Sequence, residues 1–154
     1  MRIIAGKNKG RHIITPQNLP VRPTTDLGKE SLFNILNNYF NFDRIVVCDL
    51  FAGTGNLSYE FASRGALSVV SVEQNHACAE FIKKNLNTLQ YNNVTVVKGD
   101  VFHFLERSRQ SFDIIFADPP YNLSNIEKII ELVFKNNLLK LNGWLVLEHS
   151  KEHN

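Results

Sequence analysis

The fold is decided by residues 45–56 of the 154-residue chain, which read IVVCDLFAGTGN. The apolar run 45–50 predicts a buried β-strand, because it is short and rich in β-branched residues. Residues 52–56 then place two glycines close together, which predicts a tight turn leading into a short helix at 57–64. A strand, a glycine turn and a helix are the start of a βαβ unit.

The same pattern recurs along the rest of the chain. Further strands are predicted at 67–73, 94–100, 112–117 and 144–148, with helices between them at 75–89, 101–109 and 124–137. Strands that alternate with helices at intervals of about 20–27 residues indicate right-handed crossovers and a mostly parallel sheet. We therefore predict a single α/β, Rossmann-like domain over 1–154, with its sheet and flanking helices at 41–154.

The N-terminal residues differ in composition. Two short β-branched runs, 2–5 and 12–14, flank a basic turn at 7–10 and predict a hairpin, and a leading helix follows at 26–40. Residues 1–30 carry a net charge of +4, whereas the rest of the chain carries −2. A basic arm over 1–25 suggests that a polyanion binds there, although a solvated basic loop would have the same charge.

The bulk composition excludes several classes of protein. With 44% hydrophobic and 21% charged residues, it is typical of a soluble globular protein. No apolar run approaches the roughly 18 residues of a membrane span, and the N-terminus lacks a signal-peptide core, so we expect a cytoplasmic protein. Cys48 and Cys78 are predicted to be core thiols, and the five histidines lack metal-binding spacing, so no metal is expected.

The first four predicted strands each have an acidic residue at or next to the carboxyl end: Asp49, Glu73, Asp100 and Asp118. Because the carboxyl ends of parallel strands meet at one edge of the sheet, we expect the four carboxylates to converge on one crevice. Such a set favours a ligand that is rich in hydroxyls, amines or positive charge.

The glycine turn narrows the choice of ligand. Gly53-Thr54-Gly55 allows close approach of the backbone to a nucleotide, but it is neither a P-loop nor a full dinucleotide fingerprint, and such glycines can serve the turn alone. Asp49 suits a cationic ligand, and Glu73, 24 residues further on, either binds ribose hydroxyls or is a surface carboxylate. Asp100 would accept from the adenine amine or cap the next helix. The implied cofactor is S-adenosylmethionine.

At these motifs the chain resembles a known family. Asp49–Asn56 and the sequence Asp118-Pro-Pro-Tyr121 are similar to those of the class I S-adenosylmethionine-dependent N-methyltransferases. More narrowly, the chain resembles the small-subunit ribosomal RNA guanine-N2 methyltransferases of the RsmD type. That resemblance rests on the segments 2–11, 22–26 and 30–34, which read RIIAGKNKGR, RPTTD and ESLFN.

The resemblance implies a cofactor site, a base site and a substrate. The cofactor would be held by Asp49, Phe51, Gly53, Gly55, Glu73 and Asp100, and the target base by Asp118, Pro119, Pro120 and Tyr121. The substrate would be the exocyclic N2 of a guanine in 16S rRNA, free or within a small-subunit assembly intermediate, and the enzyme a monomer. Two departures are Lys29, where the family has arginine, and a chain that stops at Asn154, so the family's C-terminal antiparallel strand pair is expected to be absent.

The motif at Asp118–Tyr121 suits the methylation of a base amine. Such an amine is a poor nucleophile, because its lone pair is delocalised into the ring. The Asp118 carboxylate and the Pro119 carbonyl could accept its two hydrogens, while the prolines fix the backbone. Tyr121 offers a face for an extruded base. The same residues could instead form an Asx-type turn followed by a core aromatic.

Lys7, Lys9, Arg11 and Arg22 would bind RNA phosphates without reading the sequence. One alternative is an adenine-N6 methyltransferase acting on DNA or RNA, although recognition of a duplex normally requires a further domain. A small-molecule methyltransferase is less favoured, because it would leave the basic arm without a purpose. From another class, a non-catalytic RNA-binding or assembly module could retain the fold, although it would not need Asp118.

Overall fold

The structure, a computed structural model, describes residues 1–20, 25–120 and 122–148. Its strands are β1 Val46–Leu50, β2 Ser68–Glu73, β3 Val94–Lys98, β4 Phe112–Ala117 and β5 Leu139–Leu147. Its helices are α1 Asp26–Asn37, α2 Asn56–Ser63, α3 His76–Thr88, α4 Val101–Arg107 and α5 Ile126–Lys135, with a 3-10 turn at Phe42–Arg44. The five strands are parallel, in the order β3-β2-β1-β4-β5, which confirms the predicted α/β architecture.

Helices cover both faces of the sheet because the chain changes direction after β3. Right-handed crossovers toward one edge put α2 and α3 on the first face, and crossovers toward the other edge put α4 and α5 on the second. In β1, Val47 packs with α1 and α2, whereas Cys48 and Leu50 pack with α4 and α5. The reversal leaves a crevice at the carboxyl ends of β1 and β4, where open α/β sheets bind ligands.

The predicted N-terminal hairpin is present as an isolated antiparallel bridge between Arg2 and His12. The N–H of Ile3 donates to the carbonyl of Arg11 at 2.9 Å, which holds the two segments together. Ile3 and Ile13 are buried in a cluster with side chains of α2 and α3. The hairpin therefore adds no strand to the sheet and instead covers the outside of the first helical layer.

Polar contacts fix the hairpin along α2. The fully buried carboxylate of Glu60 accepts hydrogen bonds from the backbone N–H groups of Ile4, at 2.9 Å, and Ala5, at 3.1 Å. The N–H of Lys7 donates to the carbonyl of Ser63 at 2.8 Å. Because the hairpin covers its outer side, α2 has all eight of its residues buried rather than one amphipathic face.

Strand β5 begins earlier than predicted. Leu139 already pairs with Phe112, and the strand then has an irregularity before Trp144 pairs with Ile114. The segment 140–143, which reads KLNG, hid this first contact, because its Asn-Gly pair is typical of a turn. Gly143 allows the close approach, since a Cβ there would lie 3.1 Å from the carbonyl oxygens of Phe112 and Asp113.

Several other expectations concern the core and the chain end. Cys48 and Cys78 are buried with free thiols, as predicted. In the part of the chain that the structure describes, no helix has both the length and the apolar character needed to cross a membrane. The sheet contains only parallel pairs among these residues, and pairing with β4 extends to Glu148, whose N–H donates to Ala117. Residues 149–154 lie outside the described part.

Two glycines of the hairpin provide a test of its docking. Gly6 and Gly10 have φ angles of +88° and +84°, so alanine at either position costs about 1–2 kcal/mol in backbone strain. A Cβ on Gly6 would also lie 1.9 Å from the carbonyl oxygen of Ser63, whereas a Cβ on Gly10 would meet no atom within 4 Å. We expect Gly6→Ala to lower the free energy of unfolding clearly more than Gly10→Ala, as measured by urea denaturation. Equal losses would contradict the docking of the hairpin on α2.

Candidate active site

A cavity of about 750 Å³ opens at the carboxyl edge of the sheet. All four strand-end acids, Asp49, Glu73, Asp100 and Asp118, line it. Their convergence follows from the parallel register, because each acid lies within two residues of the carboxyl end of its strand, at the same edge of the sheet. The cavity therefore presents several carboxylates to a single ligand, as the sequence predicts.

Asp49 is the most deeply buried of these acids, with 2% of its surface exposed. Ser58 of α2 donates to its Oδ2 at 2.6 Å, and the hydroxyl oxygens of Ser58 and Ser71 lie 2.5 Å apart. Burial is the largest of the causes that raise the pKa of Asp49 to about 7; the negative charges of Glu73 and Asp118 also raise it, and the hydrogen bonds from Ser58 oppose the shift. This carboxylate is thus destabilised in its charged form and would be stabilised by a cation.

Glu73 organises the wall beside Asp49. Its Oε1 accepts the N–H of Gly53 at 2.7 Å, and its Oε2 accepts the N–H of Asn75 at 2.8 Å. The carboxylate therefore joins the glycine turn to the start of α3. Because each carboxylate oxygen can accept more than one hydrogen bond, Glu73 retains capacity for ligand hydroxyls in a fixed position.

The glycine turn has three residues with positive φ: Phe51 at 56°, Gly53 at 61° and Gly55 at 89°. Phe51 and Gly53 line the cavity, whereas Gly55 does not. A Cβ on Gly55 would lie 2.7 Å from the ring of Tyr59, so this glycine permits packing inside α2 behind the cavity wall. A bulky residue such as Phe51 rarely adopts positive φ, and such strain is concentrated at functional sites.

Asp100 caps α4 and also lies at the cavity. Its Oδ2 accepts the N–H of His103 at 3.0 Å and caps α4, which confirms the helix-capping interpretation. The residue also lines the cavity. Its position at the rim, with an exposed side chain, differs from the buried position of Asp49.

The Asp118-Pro119-Pro120 segment forms the wall next to β4. Pro119 is buried and Pro120 is exposed, and both line the cavity together with Asp118. The carbonyl of Pro120 accepts the N–H of Leu123 at 3.0 Å, which closes a turn before α5. Tyr121, the proposed stacking residue, lies outside the described residues, and so does Arg22.

The structure does not bring the basic hairpin turn to the cavity. Lys7, Lys9 and Arg11 are exposed near Ser63, at the C-terminal end of α2, whereas Asn56 at its other end lines the cavity. With a rise of 1.5 Å per residue, the two ends of α2 are about 10 Å apart. Any contact of these residues with a substrate would therefore be remote from Asp118.

Sequence reasoning missed part of the lining. The missed residues include Pro20, Thr54, Asn56, Gln74, Asn75, His76 and Phe102. Gln74, Asn75 and His76 directly follow Glu73 in the sequence. Their position after the end of a strand is the sequence signal that could have identified them as lining residues. The Nδ1 of His76 also lies 2.7 Å from the side-chain nitrogen of Lys98. Across 1–20, 25–120 and 122–148, no group of three His, Cys, Asp or Glu side chains could hold a metal ion.

The raised pKa of Asp49 predicts a pH dependence of stability. A carboxyl whose folded-state pKa, about 7, exceeds the ordinary value of 3.8 stabilises the fold at low pH, and this contribution is lost as the pH rises through 7. An asparagine in its place would not titrate. We expect the free energy of unfolding of Asp49→Asn, relative to the natural chain, to increase by a few kcal/mol between pH 4 and pH 8 in urea titrations. A difference that does not change with pH would contradict the burial of a titrating Asp49.

Solved structures share this fold. A hypothetical protein from Thermus thermophilus superposes with a TM-score of 0.88 at 27% identity, over 100% of this chain and 88% of that one. A Podospora anserina methyltransferase solved with SAH bound, only 14% identical, has a TM-score of 0.70 and matches 82% of this chain and 53% of its own. At that identity the second likeness concerns the fold alone.

Relatives of known name match almost the whole chain. Proteins named ribosomal RNA small subunit methyltransferase D from Haemophilus influenzae and Escherichia coli are each 36% identical to it. The alignments cover 99% and 96% of this chain, and 80% and 71% of those proteins. The family model described as "Conserved hypothetical protein 95" matches residues 1–154. The chain therefore belongs to the conserved hypothetical protein 95 family, the family of these small-subunit ribosomal RNA methyltransferases.

Proposed function

We propose that this chain methylates the exocyclic N2 of a guanine in small-subunit (16S) ribosomal RNA with S-adenosylmethionine as the methyl donor. The observation that carries the proposal is the single cavity in which three strand-end acids adjoin the Asp118-Pro119-Pro120 wall. A cofactor site and a base site that share one cavity are what a direct transfer between two ligands requires.

The residues present fit this cofactor. S-adenosylmethionine carries a sulfonium and an ammonium, ribose hydroxyls and an adenine amine, and it supplies a methyl group that is already activated. Asp49 offers a buried carboxylate whose charge needs a cation nearby. Glu73 offers fixed oxygens for the ribose hydroxyls, and Asp100 offers an acceptor for the adenine amine. Phe51 and Gly53 line the same cavity as Asp49 and Glu73.

The wall at Asp118 fits the other substrate. Its carboxylate and the carbonyl of Pro119 accept the hydrogens of the base amine, which turns the nitrogen lone pair toward the methyl group. These hydrogen bonds strengthen as positive charge develops on the nitrogen, so they stabilise the transition state more than the ground state. Most of the remaining acceleration comes from holding the two reactants in line. Tyr121, which follows Pro120 in the sequence, would provide the stacking face for the base.

The proposal of a ribosomal RNA substrate rests on two observations. The Haemophilus influenzae and Escherichia coli relatives, which match nearly the whole chain, are named as small-subunit ribosomal RNA methyltransferases. In addition, Lys7, Lys9 and Arg11 form a basic hairpin turn that is fixed on α2. Because this turn lies about one length of α2, or roughly 10 Å, from the cavity, it would bind phosphates that flank the target nucleotide and not the target itself.

The methylation reaction can be tested directly on both proposed substrates. We expect incubation with methyl-labelled cofactor and either free 16S rRNA or assembled small subunits to give N2-methylguanosine, identified by mass spectrometry of the nucleosides. Asp118→Ala should abolish the product and leave cofactor binding largely intact, because Asp118 acts on the base. N6-methyladenosine would favour adenine methylation, no product from the natural chain would favour a binding module, and undiminished turnover of Asp118→Ala would contradict the mechanism.

Reversal of the charge on the hairpin turn tests the RNA contact. Replacing Lys7, Lys9 and Arg11 by glutamate should weaken RNA binding and lower the slope of log affinity against log salt by about 2 to 3, because each phosphate contact contributes about 0.7–0.9. The matched control replaces three exposed basic residues on or beside α4 and α5, Arg107, Arg109 and Lys135, by glutamate. Equal effects of the two triple variants on the slope would show that net charge, and not the hairpin, determines binding.

A further inference from the structure

Lys29 of α1 is an exception among the basic residues, because only 1% of its surface is exposed. Its ammonium lies 3.2 Å from Oε1 of Glu60, and neither side chain of this ion pair has any solvent-exposed surface. A buried ion pair is weak evidence for stability, because desolvation offsets much of its attraction. Stability alone therefore does not account for the ion pair of Lys29 and Glu60, and its position next to the cavity wall indicates a role in the site.

Three acceptors surround the ammonium of Lys29. It donates to the carbonyl oxygen of Arg2 at 2.6 Å, to Oδ1 of Asn56 at 2.8 Å and to Glu60. Burial lowers the pKa of Lys29, and Glu60 opposes this shift. An ammonium has three N–H donors and a neutral amine has two, so only the charged form serves all three acceptors. The position of the group is thereby fixed from three directions.

The acceptors belong to different parts of the protein. Arg2 lies in the hairpin, and Glu60 lies in the middle of α2, where it also binds the hairpin backbone. Asn56 is the first residue of α2 and lines the cavity. Because its Oδ1 is bound to Lys29, the side-chain amide of Asn56 has a defined orientation at the cavity wall.

We propose that Lys29 is a positioning residue that holds the Asn56 carboxamide in the cavity wall in the orientation that S-adenosylmethionine binding requires, and ties this wall to the N-terminal hairpin. The inference rests on the proposed function, since it assumes that the cavity binds this cofactor. Lys29 itself does not line the cavity, so its effect on the ligand passes through Asn56.

Arg64 provides a matched control for a purely structural ion pair. Its Nε donates to Oε2 of the same Glu60 at 2.8 Å, and its guanidinium packs 4.5 Å from the centre of the Phe33 ring. It neither lines the cavity nor binds Asn56 in any contact described above. Removal of Arg64 therefore disturbs the same carboxylate and the same helix pair without touching the cavity wall.

The test compares cofactor affinity in the variants Lys29→Met, Asn56→Ala, their combination, and Arg64→Met. Isothermal titration of S-adenosylmethionine would be combined with circular dichroism and urea denaturation to verify folding. Loss of one hydrogen bond to a charged group corresponds to a weakening on the order of tenfold, so we expect about tenfold for Lys29→Met. Asn56→Ala should give a similar loss, and the double variant should lose little more. Arg64→Met should lower stability with unchanged affinity, and Lys29→Arg should restore most of the binding.

The outcomes separate this inference from the proposed function. If the natural chain fails to bind S-adenosylmethionine, the proposed function falls and the inference falls with it. If the natural chain binds but Lys29→Met has the same affinity, or if the losses of the two single variants multiply in the double variant, only the positioning role of Lys29 is overturned. Lys29→Leu, which also lacks a donor to Asn56, takes the place of Lys29→Met in every comparison if the latter does not fold.

Discussion

The site depends on the burial of the Asp49 carboxylate at the point where the sheet changes direction. A carboxylate with 2% exposure, near two further acids, is costly to the fold in its charged form. The hydrogen bond from Ser58 offsets only part of this penalty, since the pKa of Asp49 is still raised to about 7. A fold selected for stability alone would place an apolar side chain here. A cationic ligand accounts for the acid, because it relieves both the desolvation and the repulsion.

Two of the other carboxylates, those of Glu73 and Asp100, accept hydrogen bonds from backbone N–H groups. Glu73 binds the N–H groups of Gly53 and Asn75, and Asp100 binds the N–H of His103 at the start of α4. Each acid therefore fixes a loop at the edge of the sheet while it keeps further acceptor capacity toward the cavity. The loops that would contact the cofactor are thus preorganised by the same side chains that would bind it.

The sequence predicted the sheet and its line of acids because both follow from local periodicity combined with the shared direction of parallel strands. Asp49 and Glu73 lie at or next to the carboxyl ends of their strands, so their convergence could be predicted without knowledge of side-chain packing. Gly55 shows the limit of such reasoning, because its exclusion from the lining depends on how Tyr59 packs beneath the turn. The ion pair between Lys29 and Glu60 could not be predicted from the sequence either. It joins two helices that are distant in the chain, and it depends on how the N-terminal hairpin docks against them.

The central claim is that the cavity at the ends of β1 to β4 is the S-adenosylmethionine site. A crystal structure with the cofactor or its demethylated product bound tests this claim most directly. The claim predicts ribose hydroxyls within hydrogen-bonding distance of Glu73, the amino-acid moiety beside Asp49, and the sulfur facing Asp118. A cofactor bound elsewhere, or one in this cavity with its ribose directed away from Glu73, would contradict it.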